Sequence, residues 1–267
     1  MNFLRKDEKE KKYRHILLTG SSGKLGRVLL RSQYFPNIQA PLHLILDITE
    51  PESIDNYFAE HSIDAVIHCA ALARPALCES NPVQAIRTNI IGTCNMVMGV
   101  IKKEQQLNKT IRFIYISTDG VYQGIKGNYN EQDATIPYNK YGWTKLGAEC
   151  AVNSLQNICI VRSSFFDTRN ITFESSPVDM YSSKVPIEYM PKALYILIES
   201  DYIGTVNIGG IRKSDFERYR EFKQTLKPCK RKDVARSINF AIYHDASMDT
   251  ALWRHILADE SGKEEKG

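Results

Sequence analysis

The chain has 267 residues, 43% of them hydrophobic and 25% charged, with a formal net charge of +4. That length suits one large α/β unit or a nucleotide domain with a smaller attachment, and the apolar content supports a full core. The mild charge makes no case for nucleic acid, and no long apolar stretch or cleavable leader argues for a membrane or export, so a cytoplasmic protein is expected.

In chain order, residues 1–13 carry an interleaved charged run from Arg5 to Lys12 and are expected to form a flexible extension. Arg14-His15-Ile16-Leu17-Leu18-Thr19 reads as a short buried strand, followed by Gly20-Ser21-Ser22-Gly23-Lys24-Leu25-Gly26 and a helix over 24–33. Strand, glycine turn and helix in that order are the context of a dinucleotide fingerprint. Gly20 permits the tight turn, Gly23 lets backbone approach a pyrophosphate, and Gly26 allows close helix–strand packing. The helix N-terminus offers free N–H groups to the phosphates. The spacing is G-x-x-G-x-x-G, and a purely structural turn is the competing reading.

A short strand is expected near 39–44. It ends in Ala40-Pro41-Leu42-His43, with no acid to repel a 2′-phosphate, and His43, Lys24 and Arg27 are basic candidates nearby. NADP(H) is therefore favoured over NAD(H), although Asp47 has the sequence distance of an acid that grips the ribose. Strand 64–68, helix 82–105, strand 111–117, helix 138–154 and strand 158–162 continue the alternation, which argues for a parallel sheet with helices on both faces. Ligands on such sheets bind at the carboxyl ends of the strands, where Gly20, Ala70, Thr118 and Ser163 fall.

Tyr141 and Lys145 lie four apart on the helix over 138–154, so the ammonium can sit beside the phenol. A neighbouring cation favours phenolate and lowers the phenol pKa, making Tyr141 a proton donor or acceptor for carbonyl chemistry. Thr118 adds a hydroxyl toward the same oxygen, with Ser117 as its rival, and Asp119 either touches substrate or caps the next turn. The bland alternative is a lysine laying its stem over an aromatic ring. His68, Cys69, Cys78 and Cys94 lack zinc-site spacing, so no metal is expected. The six cysteines show no C-x-x-C pair. Arg74 and the basic run Lys227, Lys230, Arg231 and Lys232 either meet a diphosphate or face solvent.

Past Arg162 the pattern weakens. Residues 165–183 read as loop, 187–200 as helix, 204–210 as strand and turn, 214–226 as helix, 247–257 as a last helix with Trp253, and 258–267 as a flexible tail.

Taken together, Thr19-Gly20-x-x-Gly23-x-x-Gly26 and Tyr141-x-x-x-Lys145 resemble the marks of the extended short-chain dehydrogenase/reductase family. Within it, the chain is most similar to dTDP-4-dehydrorhamnose reductase-like sugar-nucleotide reductases. That narrower likeness rests on Leu46-Asp47-Ile48-Thr49-Glu50-Pro51, on Asp64 to Ala71 with Cys78, Glu79, Pro82 and Asn89, and on Ile116 to Tyr122 with Tyr129, Glu131 and Pro137. Asp245-Ala246-Ser247-Met248-Asp249 adds a closing segment.

The resemblance implies a Rossmann-type doubly wound parallel sheet with a small, shortened C-terminal substrate-binding part. The dinucleotide domain would cover 14–162, with 186–212 returning to it, and 163–185 with 213–257 would bind substrate. It implies an NAD(P)H-dependent reductase of a nucleotide-activated 4-keto-6-deoxy sugar, with Thr118, Tyr141 and Lys145 catalytic. The cofactor would meet Gly20, Ser22, Gly23, Lys24, Leu25 and Gly26. It would also meet His43, Asp47, Ile48, Ala70, Ala71, Asn89, Ser117, Ser163 and Ser164, with Tyr141 and with Lys145 on the ribose hydroxyls. Arg74, Asp119, Val121 and Tyr122 would line the substrate. The implied partner is a nucleotide sugar, with a homodimer open and neither nucleic acid nor membrane.

Relatives have a longer segment after Arg162, which leaves the substrate itself open. A dehydratase is disfavoured because Gly120, not Glu, follows Asp119. An epimerase of the same superfamily, or a non-catalytic cofactor-binding subunit like the methionine adenosyltransferase beta subunit, stand as alternatives. Intact Thr118, Tyr141 and Lys145 argue against the second.

Overall fold

The computed structural model describes residues 12–264. The expected charged segment up to residue 11, and residues 265–267, lie outside them. Tyr13 is already buried in the core, so the folded unit starts before the expected boundary. The first apolar run forms β1 (Ile16–Thr19), and the glycine turn hands the chain to α1 (Lys24–Arg31). Then come α2 (Pro51–Glu60), β2 (Ala65–His68), α3 (Pro75–Ser80) and α4 (Pro82–Ala85). Each of these three helices starts with proline, whose missing N–H has no intrahelical partner there anyway. A π turn, Ile86–Ile91, leads into α5 (Gly92–Leu107). After it, β3 (Arg112–Thr118) is buried at all seven positions. Next, α6 (Lys140–Val152) is capped by Asn139, whose side chain accepts from the Gly142 N–H at 2.9 Å, and β4 (Ile158–Ser163) follows.

Beyond β4 lie four short strands, β5 (Phe165–Phe166), β6 (Ser175–Pro177), β7 (Tyr181–Ser182) and β8 (Val185–Pro186). They precede α7 (Met190–Glu199) and β9 (Gly204–Ile208). The chain closes with β10 (Lys213–Ser214), α8 (Asp215–Arg220), β11 (Lys227–Cys229), α9 (Arg231–Ser237) and α10 (Ala251–Glu264).

The main sheet has the order β1-β2-β3-β4-β9 and every pairing in it is parallel. Its strands read as continuous apolar runs because both faces are covered. On one face Leu18, Ile114 and Val161 pack with Leu29 of α1, Leu194 of α7 and Trp253 of α10. On the other, Leu17, Phe113 and Ile160 pack with Phe58 of α2, Val100 of α5 and Val152 of α6. This is the expected doubly wound sheet.

Several elements differ from expectation. The strand near 39–44 shrinks to a bridge in which Gln39 pairs with Leu17 through two 2.8 Å backbone bonds. Pro41 cannot donate to a ladder, and the chain turns at Leu42, whose carbonyl accepts from the Ile45 and Leu46 N–H groups. The helix expected over 82–105 is interrupted by the π turn. The segment 165–183, expected as loop, is knitted by two- and three-residue ladders: β5 with β8, β6 with β11, β7 with β10. The last helix starts at Ala251 because Asp245 and Met248 are held in bridges to Tyr181 and Tyr129. It runs to Glu264, into the expected tail.

Candidate active site

The glycine turn is a close-packed cradle. Gly20 has φ 72°, and a Cβ on it would lie 2.6 Å from the Ala70 nitrogen and 2.7 Å from the Cys69 carbonyl carbon. A Cβ on Gly26 would run into the Gly20 oxygen and lie 2.7 Å from Ser21 Cα, so α1 docks on the turn with no room for a methyl. Gly23 caps α1 without any side-chain bond, leaving the first-turn N–H groups open toward the exposed Ser22 and Lys24. Open donors at a helix N-terminus suit a pyrophosphate. Leu25 is buried and serves packing.

The wall beside this turn is set by a hydrogen-bonded chain through His68. Thr19 Oγ1 accepts from the Ala70 N–H at 3.3 Å and lies 2.7 Å from His68 Nδ1; His68 Nε2 lies 3.1 Å from Thr93 Oγ1, which donates to the Asn89 carbonyl at 2.8 Å. These directions assign the proton to Nε2. Burial, reinforced by Lys145, pushes His68 down to about 3, so it is neutral. Asn89 is fully buried; its amide accepts from the Leu72 N–H and donates to the Leu72 carbonyl and Thr144 Oγ1. Its amide is spent on these partners and offers no free donor. Ala70 and Ala71 stand half-buried at the end of β2. Among the described residues no group of three His, Cys, Asp or Glu could hold a metal.

In the turn expected to meet the adenine, Asp47 Oδ1 accepts from the Thr49 N–H at 2.8 Å and from its hydroxyl at 2.9 Å, while His43 Nε2 lies 3.4 Å from Asp47 Oδ2 and is largely exposed. Ile48 is buried, and a Cβ on Gly92 would lie 2.7 Å from its Cδ1.

Thr118 ends β3 and Tyr141 lies in the first turn of α6. Thr118 Oγ1 donates to Asp119 Oδ1 at 3.1 Å and accepts from the Gly120 N–H at 3.1 Å. The expected lowering of the Tyr141 pKa by Lys145 is not what the structure gives. Burial pushes the phenol well up, Asp119 and Cys78 push it further, and only Thr118 opposes them. Lys145 is itself pushed down to about 7 by burial, against the pull of Glu149 and Cys69, and its Nζ lies 4.0 Å from the centre of the Tyr115 ring. Both groups are shifted toward their neutral form, and desolvation is the largest cause in each.

Asp119 is held up to about 6 by burial, with Lys184 and hydrogen bonds from Thr118 and Ser164 opposing. Ser164 therefore faces the site through Asp119. Ser163 turns its hydroxyl to Met190 Sδ at 3.7 Å, and Ser117 donates to Glu149. Val121 and Tyr122, expected to line the substrate, are fully buried. The 3-10 turn after β3 drives them inward, where Tyr122 stacks on Tyr129 at 4.8 Å and donates to Asn207 Oδ1 at 2.8 Å. Arg74 stands exposed at the N-cap of α3.

The sequence reading missed a polar knot on the substrate side. Lys184 Nζ donates to Asp215 Oδ1 at 3.0 Å and to the Tyr243 hydroxyl at 2.5 Å, and Tyr243 donates to Asp215 Oδ2 at 2.5 Å. Burial opposes the ammonium, but Asp215, Tyr219 and Tyr243 hold its pKa well above the ordinary value. Tyr138 stands edge-on to Tyr243 at 6.2 Å, and its phenol is pushed up by burial and by Asp119. The three groups of the knot, Lys184, Asp215 and Tyr243, come from distant segments. The only signal in the sequence was Tyr138 beside Tyr141.

A family model described as RmlD substrate binding domain matches residues 14–176. The chain is 34% identical over 166 residues to a probable low-salt glycan biosynthesis reductase of Haloferax volcanii, a match covering 57% of this chain and 53% of that protein. It is 30% identical over 148 residues to methionine adenosyltransferase 2 subunit beta of Rattus norvegicus, covering 52% of this chain and 42% of that protein. The chain thus spans about half the length of these curated relatives. A dTDP-4-dehydrorhamnose reductase from Bacillus anthracis, solved in complex with NADP, superposes with a TM-score of 0.80 at 23% identity, over 90% of this chain and 92% of that one. That likeness shows a shared fold.

Proposed function

The chain belongs to the RmlD substrate binding domain family, and from that membership we propose that it is an NAD(P)H-dependent reductase of a nucleotide-activated 4-keto-6-deoxy sugar. The observation that carries the reading is the meeting of Thr118, Tyr141 and Lys145 at the carboxyl ends of the strands, beside an uncapped helix N-terminus. The Gly20–Gly26 cradle fits a dinucleotide. The first-turn N–H groups of α1 would take the pyrophosphate, Lys145 the ribose hydroxyls, and the Asp47–Ile48 turn the adenine side. NADP(H) is favoured over NAD(H) because no carboxylate follows Gln39 before Asp47, and Asp47 is tied to Thr49.

When bound, NAD(P)H supplies the hydride for the carbonyl carbon. The chain's own part is the proton. Tyr141, with its pKa pushed up, is fully protonated at neutral pH and loaded to donate to the oxygen that becomes hydroxyl. Thr118 donates its hydroxyl hydrogen bond to Asp119 in the free protein, so it polarises a carbonyl best when Asp119 is itself protonated. The Lys184–Asp215–Tyr243 knot and Tyr138 form the floor on the sugar side. The proposed partner is a nucleotide sugar, with no role for nucleic acid and with a homodimer compatible. No described helix is long and apolar enough to cross a membrane. Six cysteines without a disulfide support a cytoplasmic setting.

Following oxidation of NADPH with a panel of keto-sugar nucleotides tests the proposal; turnover with at least one is expected. A second reading, a cofactor-binding regulatory subunit, is favoured by the match to methionine adenosyltransferase 2 subunit beta. Tight NADPH binding with no turnover across the panel would select it.

A further inference from the structure

Glu149 lies one helical turn beyond Lys145 on the same face of α6, and both are buried. Its carboxylate is locked by two residues, Arg162 and Ser117. Arg162 of β4 donates to it through Nη2 at 2.7 Å and through Nε at 3.2 and 3.3 Å, and Ser117 of β3 donates to Oε1. Arg162 is in turn held by Tyr122 at 3.0 Å, and Tyr122 by Asn207 of β9 at 2.8 Å. The anion is therefore pinned to three strands of the sheet beneath the catalytic helix.

The groups facing Lys145 narrow the question of what sets its charge. From β2, His68 is pushed down to about 3 by burial and Cys69 is pushed up to about 12 by burial, so neither is ionised at neutral pH. From β3, Tyr115 presents its ring face, and burial raises its phenol well above the ordinary value. From α6, Tyr141 is likewise raised by burial. Of the groups around the ammonium, the charged ones are Glu149 and, behind it, Arg162.

We propose that Glu149 is a positioning residue for Lys145: anchored by Arg162 and Ser117, it supplies the negative charge that stabilises the Lys145 ammonium against burial. A buried lysine without such a partner gives up its proton. A neutral amine would bind ribose hydroxyls more weakly and exert no field on Tyr141. The three-strand anchor fixes the carboxylate in place, so it answers to Lys145 without moving. The inference rests on the catalytic reading of Lys145, but its test needs neither cofactor nor substrate.

The test is an NMR titration of protein labelled with 13C at the lysine ε-carbon, with Lys145 assigned by the loss of its signal in Lys145→Met. The parent midpoint is expected near the value of about 7 set by burial. Glu149→Gln should move it about one pH unit or more lower, and Glu149→Asp should restore most of the difference. Leaving Arg162 unpaired can prevent folding, so Glu149→Gln/Arg162→Met provides the same test with both charges removed. A purely structural ion pair would lower stability and leave the Lys145 midpoint alone. An unchanged midpoint in either folded variant overturns the proposal. Turnover assays stand apart: their failure would overturn the reductase reading and leave this titration intact.

Discussion

Replacing Gly26 with alanine should separate the packing role of the glycine turn from its ligand role. A Cβ there would meet the Gly20 oxygen, with Ser21 Cα at 2.7 Å and Ser21 oxygen at 2.8 Å. All three are backbone atoms, so no side-chain rotation relieves the clash. Overpacking of this kind costs about 1–3 kcal/mol, and the rigid neighbours place Gly26→Ala at the upper end. Against that, alanine gains about 1 kcal/mol over glycine inside a helix. The net loss of roughly 2 kcal/mol corresponds to a fall in Tm of about 4–8 °C for a chain of this size. Gly23→Val is the counterpart. The Gly23 Cβ position meets only the Gly20 oxygen at 3.2 Å, and φ −72° with ψ 171° is extended backbone that valine adopts. It should melt close to the parent yet lose NADPH binding, because the branched side chain stands where the pyrophosphate approaches. Thermal melts with and without NADPH, together with calorimetric titration, read both effects. A Gly26→Ala protein as stable as the parent, or a Gly23→Val protein with parental cofactor affinity, would refute the reasoning.

Asp119→Asn should stabilise the folded protein, because the parent carboxyl has its folded pKa raised from 3.8 to about 6. A raised folded pKa means stability that is present below 3.8 and lost as pH rises through about 6, so the advantage of the variant should open across that window. It should reach at most roughly 3 kcal/mol, and denaturant melts at several pH values measure it; a gap that does not grow with pH contradicts the assignment. Lys145 shifts the other way. Its folded pKa is depressed from 10.5 to about 7, so the unfolded chain binds more protons in that window and the parent should gain stability over Lys145→Met as pH rises through it. The same variant should bind NADPH more weakly, which calorimetry checks. Dissociation constants should favour NADPH over NADH modestly, and a clear NADH preference would show that Asp47 leaves Thr49 to reach the ribose.

What could be read in the sequence was what is local. The glycine turn, the buried strands and the Tyr141–Lys145 spacing each depend on neighbours within one or two elements, and the structure forms them. Pro41 was visible, yet the strand expected around it fails because a proline leaves the ladder without a donor. The helix after Pro51 had its own signal, Ile54, Tyr57 and Phe58 at helical spacing, and all three are buried. Val121 and Tyr122 adjoin Thr118 in sequence, but a single 3-10 turn sends them into the core. The Lys184–Asp215–Tyr243 knot joins three segments with no shared pattern, so only the folded chain brings it to light. Spacing likewise gave the adjacency of Tyr141 and Lys145 but not their burial, and burial decides the sign of both pKa shifts.

The most direct measurement is kcat for NADPH-dependent reduction of a keto-sugar nucleotide by the parent and by Tyr141→Phe, with cofactor affinity measured alongside. The variant keeps the ring and its packing and lacks only the transferable proton. A fall in kcat of about 10²–10⁴-fold with NADPH affinity near the parental value is the expected result. A Tyr141→Phe protein that reduces the substrate at the parental rate would contradict the account.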